Sequence, residues 1–223
     1  MLYTLRGAGY GAYFVGGCVR DSLLGRRVHD WDAATSAPPQ AVQALFERTA
    51  PTGLRHGTVT VISGGRALEV TTYRTESAYS DHRRPDSVEF TGDLALDLSR
   101  RDFTMNAMAM GPEGDITDPF GGREDIARRL IRCVGDGERR FSEDALRMLR
   151  ALRFSAQLGF AIEPGTYAAI ERLAPTASAL SAERVRDEFL KALASPRPEA
   201  AYGMLALGLM ARFARAEGPP PAL

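Results

Sequence analysis

The stretch YFVGGCVRDSLLGRRVHDWDAAT, residues 13–35, decides how this 223-residue chain is interpreted. A short apolar run ends at Gly16 and Gly17, and the segment that follows has the pattern of a helix closed by a glycine. A strand that delivers two glycines to a helix N-terminus leaves backbone N–H groups open to an anion. Arg20, one turn further on, can reach the same anion. Such a turn also exists wherever the chain simply has to bend.

Two aspartates, Asp30 and Asp32, follow in an expected strand over residues 29–33. Alternate residues of a strand project from one face, so both carboxylates share a face and Trp31 points the other way into packing. Two carboxylates on one face repel unless a cation lies between them, and Mg²⁺ held by carboxylate and phosphate oxygens would satisfy this requirement. Solvated aspartates at a strand end are the alternative interpretation.

A third carboxylate usually accompanies such a pair in metal-dependent phosphoryl or nucleotidyl transfer. Glu69 is the best candidate, because it lies in one of two strand-like runs, 58–63 and 66–73, that flank a glycine pair typical of a tight hairpin. An edge-strand glutamate facing water is the alternative. The sequence contains no G-x-x-x-x-G-K-[ST] motif, which counts against a Walker-type ATPase.

The organisation of the chain changes near Gly135. Before it, short strands and helices are separated by glycine turns; after it, helical periodicity dominates. We therefore predict an α+β fold, with a small mixed, largely antiparallel sheet over residues 1–136 and an all-helical part over 137–223. Residues 79–100 lack a strong period and are predicted to form a loop or lid. The helices predicted in the second part cover 142–158, 164–173 and 182–194.

Composition narrows the class of protein. With 44% hydrophobic and 25% charged residues and a formal net charge of +0, the chain is an ordinary globular protein. Cys18 and Cys133 are far apart and lack metal-ligand spacing, which suits a reducing compartment. The first ten residues lack the apolar core of a signal peptide, and the longest apolar stretch is too short to span a bilayer. A soluble cytoplasmic protein without a membrane partner is expected.

Taken together, the motifs resemble those of a known family. GGCVRDSLLGRRVHDWDAAT, residues 16–35, is similar to the signature of the class II CCA-adding tRNA nucleotidyltransferases and the bacterial poly(A) polymerases. Agreement in order from residue 13 to residue 193 is far more specific than any one segment. The resemblance implies a polymerase β-like nucleotidyltransferase head followed by a helical neck. The further matching segments are EVTTYRTESAYSDHRRPDSVEF (69–90), RRDFTMNAMAM (100–110), DPFGGREDI (118–126), EDALRMLRALRFSAQLGF (143–160) and ERVRDEFLKAL (183–193).

The function implied by this resemblance is template-independent addition of C, A or both, from CTP and ATP, to the tRNA 3′ end by two-metal nucleotidyl transfer with Mg²⁺. Enzymes that add only CC or only A, and poly(A) polymerases, share these motifs. The segment SDHRRPDSVEF, residues 80–90, favours complete CCA addition or terminal A addition. An alternative of a different class is a catalytically silent RNA- or nucleotide-binding module, against which the intact carboxylates argue.

The resemblance also assigns roles to residues. The implied catalytic residues are Asp30, Asp32 and Glu69, with the metal ions on Asp30 and Asp32. The implied nucleotide-binding residues are Gly16, Gly17, Arg20, Arg101, Asp102, Asn106, Asp144, Arg147, Arg150 and Arg153. Residues 144 and 147 lie on adjoining turns of the predicted helix, so an acceptor and a donor can face one base edge. A surface ion pair is the alternative for these two, and an N-cap is the alternative for Asp102.

Overall fold

The computed structural model describes residues 1–76 and 87–210. These residues fall into two compact units, which we call the head unit (1–76 and 87–128) and the helical unit (129–210). The predicted division after residue 136 stays a prediction. The α+β fold class is confirmed, with an antiparallel-rich sheet in the head unit and helices dominating the other unit.

Seven strands of the head unit form one sheet, and two more form a separate ribbon. The strands are β1 (Ala12–Val15), β2 (Asp32–Thr35), β3 (Thr49–Gly53), β4 (Thr58–Ser63), β5 (Arg66–Thr72), β6 (Arg74–Glu76), β7 (Val88–Phe90), β8 (Ala109–Met110) and β9 (Ile116–Thr117). The sheet order is β3-β4-β5-β2-β1-β8-β9, and β6 pairs with β7. Only β2 and β5 run parallel; all other paired strands of the head unit are antiparallel.

The hairpin of β4 and β5 follows from its local sequence. Gly64 has φ +57° and Gly65 has φ +75°, the left-handed values that a two-residue hairpin turn demands of both central positions. Val59 and Val61 alternate with less buried residues along β4, so one side of the hairpin enters the core. The predicted hairpin is confirmed.

Helices cover both faces of the sheet. They are α1 (Leu2–Gly7), α2 (Gly17–Leu23), α3 (Pro39–Leu45), α4 (Leu94–Ser99) and α5 (Gly122–Ala127), and single 3₁₀ turns lie at Leu54–His56 and Thr104–Asn106. Leu5 of α1 and Val42 of α3 pack with Ala33 on one face, whereas Leu98 of α4 packs with Ala34 on the other. The neighbouring alanines of β2 therefore serve two separate cores.

The predicted loop over 79–100 is wrong in its second half. Strand β7 and helix α4 lie there, and residues 77–86 are outside the described residues. Helix α4 has a clear start signal, because the Asp93 carboxylate accepts hydrogen bonds from the backbone N–H groups of Ala95 and Leu96. This short helix was not predicted because the surrounding sequence is polar and lacks a strong period.

The helical unit contains α6 (Gly137–Glu143), α7 (Leu146–Leu158), α8 (Pro164–Leu173), α9 (Ala182–Leu193) and α10 (Tyr202–Ala206), with 3₁₀ turns at Ala174–Ala179 and Pro198–Ala201. Two short parallel strands, β10 (Leu130–Ile131) and β11 (Ala161–Ile162), also belong to it; only β11 lies within residues 137–223, the part predicted to be helical. The single helix predicted over 142–158 is interrupted, because Asp144 has extended backbone angles, φ −147° and ψ 105°. No helix in the described ranges is long and apolar enough to cross a membrane.

Candidate active site

Two of the predicted catalytic carboxylates lie on neighbouring strands of the head sheet. Asp32, the first residue of β2, pairs in parallel register with Glu69 of β5. Paired residues project from the same face, so the two side chains stand side by side. The edge-strand interpretation of Glu69 is wrong, because β5 lies between β4 and β2, although the glutamate side chain is exposed.

The third carboxylate, Asp30, lies just before the strand. The strand predicted over residues 29–33 starts later in the structure, since pairing with the neighbouring strands begins only at Asp32. Between the two aspartates, Trp31 packs its ring against Phe14, with 4.5 Å between ring centroids. Asp30, Asp32 and Glu69 nevertheless line one cleft of about 1320 Å³. The structure therefore brings together the three carboxylates that the sequence singled out.

The electrostatics of Asp32 reflect this crowding. The pKa of its carboxyl is raised, chiefly because the group is partly withdrawn from water and also because it faces the negative charges of Glu69 and Asp30. The Arg101 guanidinium acts in the opposite direction, which places a positive charge within reach of the carboxylates. None of the three carboxylates forms a hydrogen bond or ion pair with another described residue.

A divalent cation fits this donor set. Carboxylate oxygens suit Mg²⁺, which normally binds through one or two carboxylates and completes its shell with water and substrate phosphate. In the part of the chain that the structure describes, no three His, Cys, Asp or Glu side chains are grouped so that they could hold a metal ion by themselves. A cation bound at these carboxylates would complete its coordination shell with oxygens of the nucleotide, and it would reduce the repulsion between the carboxylates.

The glycine turn carries two guanidinium groups. Gly16 has φ +81° and precedes the first turn of α2, and a Cβ atom built on it would lie 3.1 Å from Arg101 Nη1. A Cβ atom on Gly17 would lie 3.5 Å from Arg20 Nη2. The absence of side chains thus lets Arg101 and Arg20 approach the backbone at the end of β1. Backbone N–H groups and two guanidinium groups together make a cradle for an anion.

Arg20 is oriented by a buried polar network. Its Nη1 donates to Asn106 Oδ1 at 2.7 Å, and its Nε and Nη2 donate to the two carboxylate oxygens of Asp21 at 2.9 and 3.0 Å. Asn106 Nδ2 in turn donates to Asp102 Oδ1 at 3.1 Å, and that oxygen also accepts from the backbone N–H of Phe103 at 2.8 Å. Arg20, Asp102 and Asn106, all predicted from sequence, are connected, whereas Asp21 was missed.

A second charged cluster was missed by the sequence analysis. Asp97 is completely buried and accepts from Arg100 and Arg101, and Arg100 also donates to Glu76, which pairs with Arg74. The spacing of Asp97 in α4 from the two arginines that follow the helix, i to i+3 and i+4, is the signal that could have revealed the cluster.

In the helical unit, Asp144 is held from two directions. Its Oδ1 accepts from the backbone N–H of Leu146 at 3.0 Å and so caps the start of α7, and its Oδ2 accepts from Arg184 at 2.7 Å. The expectation that residues 144 and 147 lie in one helix is wrong, because Asp144 caps α7 from outside. The interpretation of these two residues as a mutual ion pair is also wrong, since Asp144 pairs with Arg184 and Arg147 with Glu143.

The arginines of α7 have partners within their unit. Arg147 Nη1 donates to the backbone carbonyl of Arg140 at 3.0 Å as well as to Glu143. Arg150 stacks over the ring of Phe154, 5.3 Å from its centroid. Arg153 is buried, forms an ion pair with the buried Glu188 and donates to Gln157 at 2.7 Å. Nucleotide contacts by Asp144 and these arginines stay predictions.

Two family descriptions match the chain. "Poly A polymerase head domain" matches residues 12–132, and "Probable RNA and SrmB- binding site of polymerase A" matches residues 159–214. Curated relatives include two CCA-adding enzymes. That of Leuconostoc mesenteroides is 55% identical over 193 residues, which is 86% of this chain and 48% of the relative. That of Geobacillus stearothermophilus is 53% identical over 206 residues, 92% of this chain and 51% of the relative.

Solved structures agree with this similarity. The crystal structure of the Bacillus stearothermophilus CCA-adding enzyme in complex with CTP matches with a TM-score of 0.85 and 52% identity, covering 92% of this chain and 50% of that chain. A tRNA nucleotidyltransferase complexed with a primer tRNA and an incoming ATP analog matches with a TM-score of 0.77 and 28% identity, over 96% of this chain and 62% of that chain. The chain spans about half the length of the curated relatives that it matches.

Proposed function

The chain belongs to the nucleotidyltransferase family that carries the poly(A) polymerase head domain and includes the bacterial CCA-adding enzymes, and from this premise we propose that it adds C and A to the tRNA 3′ end. The substrates would be CTP, ATP and a tRNA that lacks part or all of its CCA end. The observation that carries the proposal is the position of Asp30, Asp32 and Glu69 in one cleft, with Arg101 close to both Asp32 and the glycine turn.

Metal dependence is general in this family, and we propose Mg²⁺ as the ion, bound by Asp30 and Asp32 with Glu69 in support. When bound, Mg²⁺ lowers the pKa of the attacking 3′-hydroxyl and neutralises charge on the departing pyrophosphate. The carboxylates contribute by having no ion-pair or hydrogen-bond partner within the described residues, so that their oxygens remain available as ligands.

The triphosphate would bind at the glycine turn. Backbone N–H groups of Gly16 and Gly17 can approach phosphate oxygens closely, and Arg20 and Arg101 add positive charge there. Asp102 and Asn106 lie in the network behind Arg20 and are proposed to contact the ribose, where a carboxylate can accept from a 2′-hydroxyl. Holding the α-phosphate in line with an incoming hydroxyl is the main task of these residues.

The RNA end would enter the cleft that borders the carboxylates. Arg27 and Arg66 line this cleft together with Asp32 and Glu69, so positive charge is available for the phosphates of a strand end. We place the reaction in the cytoplasm, because both cysteines are buried thiols, as expected in a reducing compartment.

Base choice is assigned to the helical unit on the strength of the resemblance. Asp144 is an acceptor fixed by Arg184, and Arg147 is a donor fixed by Glu143. Fixed donors and acceptors discriminate between base edges, because a wrong base leaves one of them unpaired. Arg150 and Arg153 are proposed to support this reading at the next turns of α7.

One gel assay tests the function. The chain would be incubated with Mg²⁺, labelled CTP or ATP, and tRNAs that end before the first C, after CC, or after the complete CCA. We expect C addition to the first tRNA and A addition to the second. Addition of only CC or only A would identify a partial enzyme, and untemplated A runs on any RNA would identify a poly(A) polymerase. No extension, with Asp30→Asn indistinguishable from the parent, would leave a silent binding module as the better account.

A further inference from the structure

The strongest unassigned feature of the head unit is the Asp97 carboxylate, which has no exposed surface. Asp97 Oδ1 accepts from Arg100 Nε at 3.0 Å, from Arg100 Nη2 at 2.8 Å and from the backbone N–H of Arg74 at 3.3 Å. Asp97 Oδ2 accepts from Arg101 Nη2 at 3.3 Å. A buried carboxylate is stable only when hydrogen-bond donors surround it. Moving one of these donors away would leave the charge poorly paired, so Asp97 holds the surrounding groups in place.

The two arginines that follow Asp97 are used differently. Arg100 contacts Asp97 through two nitrogens and donates through Nη1 to Glu76 at 2.9 Å, so all three of its side-chain nitrogens face carboxylates. Arg101 donates to Asp97 through one nitrogen, Nη2. Arg101 Nη1 lies against the backbone of Gly16, and its buried Nε has no partner among the described residues.

Charge in the cluster is unevenly balanced. Asp97 and Glu76 contribute two negative charges, and Arg74, Arg100 and Arg101 contribute three positive charges. The ion pairs of Arg74 and Arg100 use both carboxylates, whereas Arg101 makes only the longer contact with Asp97. Among these three arginines, Arg101 therefore makes the longest ion pair with the cluster, and its guanidinium lies beside the glycine turn, where an anion would bind.

We propose that Asp97 is a positioning residue for nucleotide binding: it holds the Arg101 guanidinium at the Gly16 backbone so that Arg101 is ready for the triphosphate. This inference rests on the proposed function, because it assigns the triphosphate to the glycine turn. Asp97 itself touches no substrate and acts through Arg101. An arginine already held in place loses little side-chain entropy when the phosphate binds, so the effect belongs to affinity.

The test replaces Asp97 with asparagine in the full chain and measures binding of CTP and of inorganic tripolyphosphate by titration calorimetry. The amide oxygen can keep the three donors that now bind Asp97 Oδ1, which leaves the amide N–H groups facing Arg101 Nη2, so Arg101 is released. We expect Kd for both ligands to rise about tenfold, whereas kcat at saturating CTP changes less than about twofold. The double variant Asp97→Asn with Arg101→Ala should bind no more weakly than Arg101→Ala alone, because Asp97 acts through that arginine.

A matched control is available on the same helix. Asp93→Asn changes an exposed carboxylate to an amide that still caps α4, so binding should stay at the parent value. Thermal unfolding of each variant shows whether it is folded; if Asp97→Asn is not, Asp97→Glu keeps the charge, displaces it by one methylene and should weaken binding less than Arg101→Ala.

Outcomes of the test separate this inference from the proposed function. Unchanged tripolyphosphate affinity in folded Asp97→Asn, or losses that add in the double variant, would overturn the role of Asp97 even if the parent extends tRNA. Weaker tripolyphosphate binding with a non-additive double variant would support it even if the parent extended no RNA.

Discussion

The carboxylates of the head-unit cleft and the buried charges of the helical unit differ in how they are paired. In the head unit, Asp30, Asp32 and Glu69 face a cleft and form no hydrogen bond or ion pair with the rest of the described chain. In the helical unit, Asp144 is paired with Arg184, and Arg153 with Glu188. Unpaired carboxylates that crowd together are stable only because they remain near water or receive a cation, whereas buried charges must be paired within the protein.

This difference separates two kinds of site. The head carboxylates have no partner within the described chain, which suits the proposed catalysis with a metal ion and a nucleotide. Asp144 and Arg153 of the helical unit are already held in ion pairs, which suits rigid positions that read a base or hold helices together. Four measurements test whether the two kinds of site differ in this way.

The largest effect is expected from Asp32→Asn. Loss of one carboxylate oxygen from the cation site should reduce nucleotide incorporation on the order of a thousandfold. Incorporation of labelled CTP into tRNA measures this, with Glu47→Gln, an exposed carboxylate outside the cleft, as the control. A loss of less than about tenfold would mean that Asp32 is not a ligand.

The next largest effect is expected at the ion pair between Arg153 and Glu188 in the helical unit. Glu188→Ala leaves the buried Arg153 charge without its ion pair and should lower the free energy of unfolding by about 3 kcal/mol. Urea denaturation measures the change, and Glu199→Ala on an exposed 3₁₀ turn is the control. Unchanged stability together with altered nucleotide selectivity would instead assign Arg153 to substrate contact.

A smaller effect is expected on base choice. Arg147→Ala removes a donor held by Glu143 and should reduce discrimination among the four nucleoside triphosphates by about tenfold. Ratios of kcat/KM for CTP, ATP, UTP and GTP measure it. Arg139→Ala, an exposed arginine that reaches the same glutamate, is the control. If selectivity is unchanged, the base is read elsewhere in the protein.

The smallest effect is on pH-dependent stability. Because the pKa of Asp32 is raised above its ordinary value of 3.8, its folded state loses stability as pH rises and the carboxyl ionises. Asp32→Asn should therefore raise Tm slightly at pH 7 without metal, and the gain should vanish near pH 3, where both states are protonated. A Tm gain equal at both pH values would attribute the effect to packing and not to charge.

Much of the fold could be predicted because its signals are local. Proline at the first turn and a capping glutamate define α8, and the glycine pair defines the hairpin of β4 and β5. The predicted bounds of elements were wrong where contacts with residues distant in sequence set them. Strand β2 starts at Asp32 because its neighbours start pairing there, and α6 and α7 separate at Asp144, whose side chain caps α7 and pairs with Arg184.

The candidate site divides in the same way. The residue types of the site follow from the sequence: a glycine turn able to adopt positive φ, carboxylates two residues apart, and arginines able to bind phosphate. The position of Glu69 beside Asp32 across a parallel pair of strands, and the contact of Asp97 with Arg101 near Gly16, depend on the folded chain. Backbone conformation depends on neighbours in the chain, whereas the pairing of distant charges depends on topology and burial.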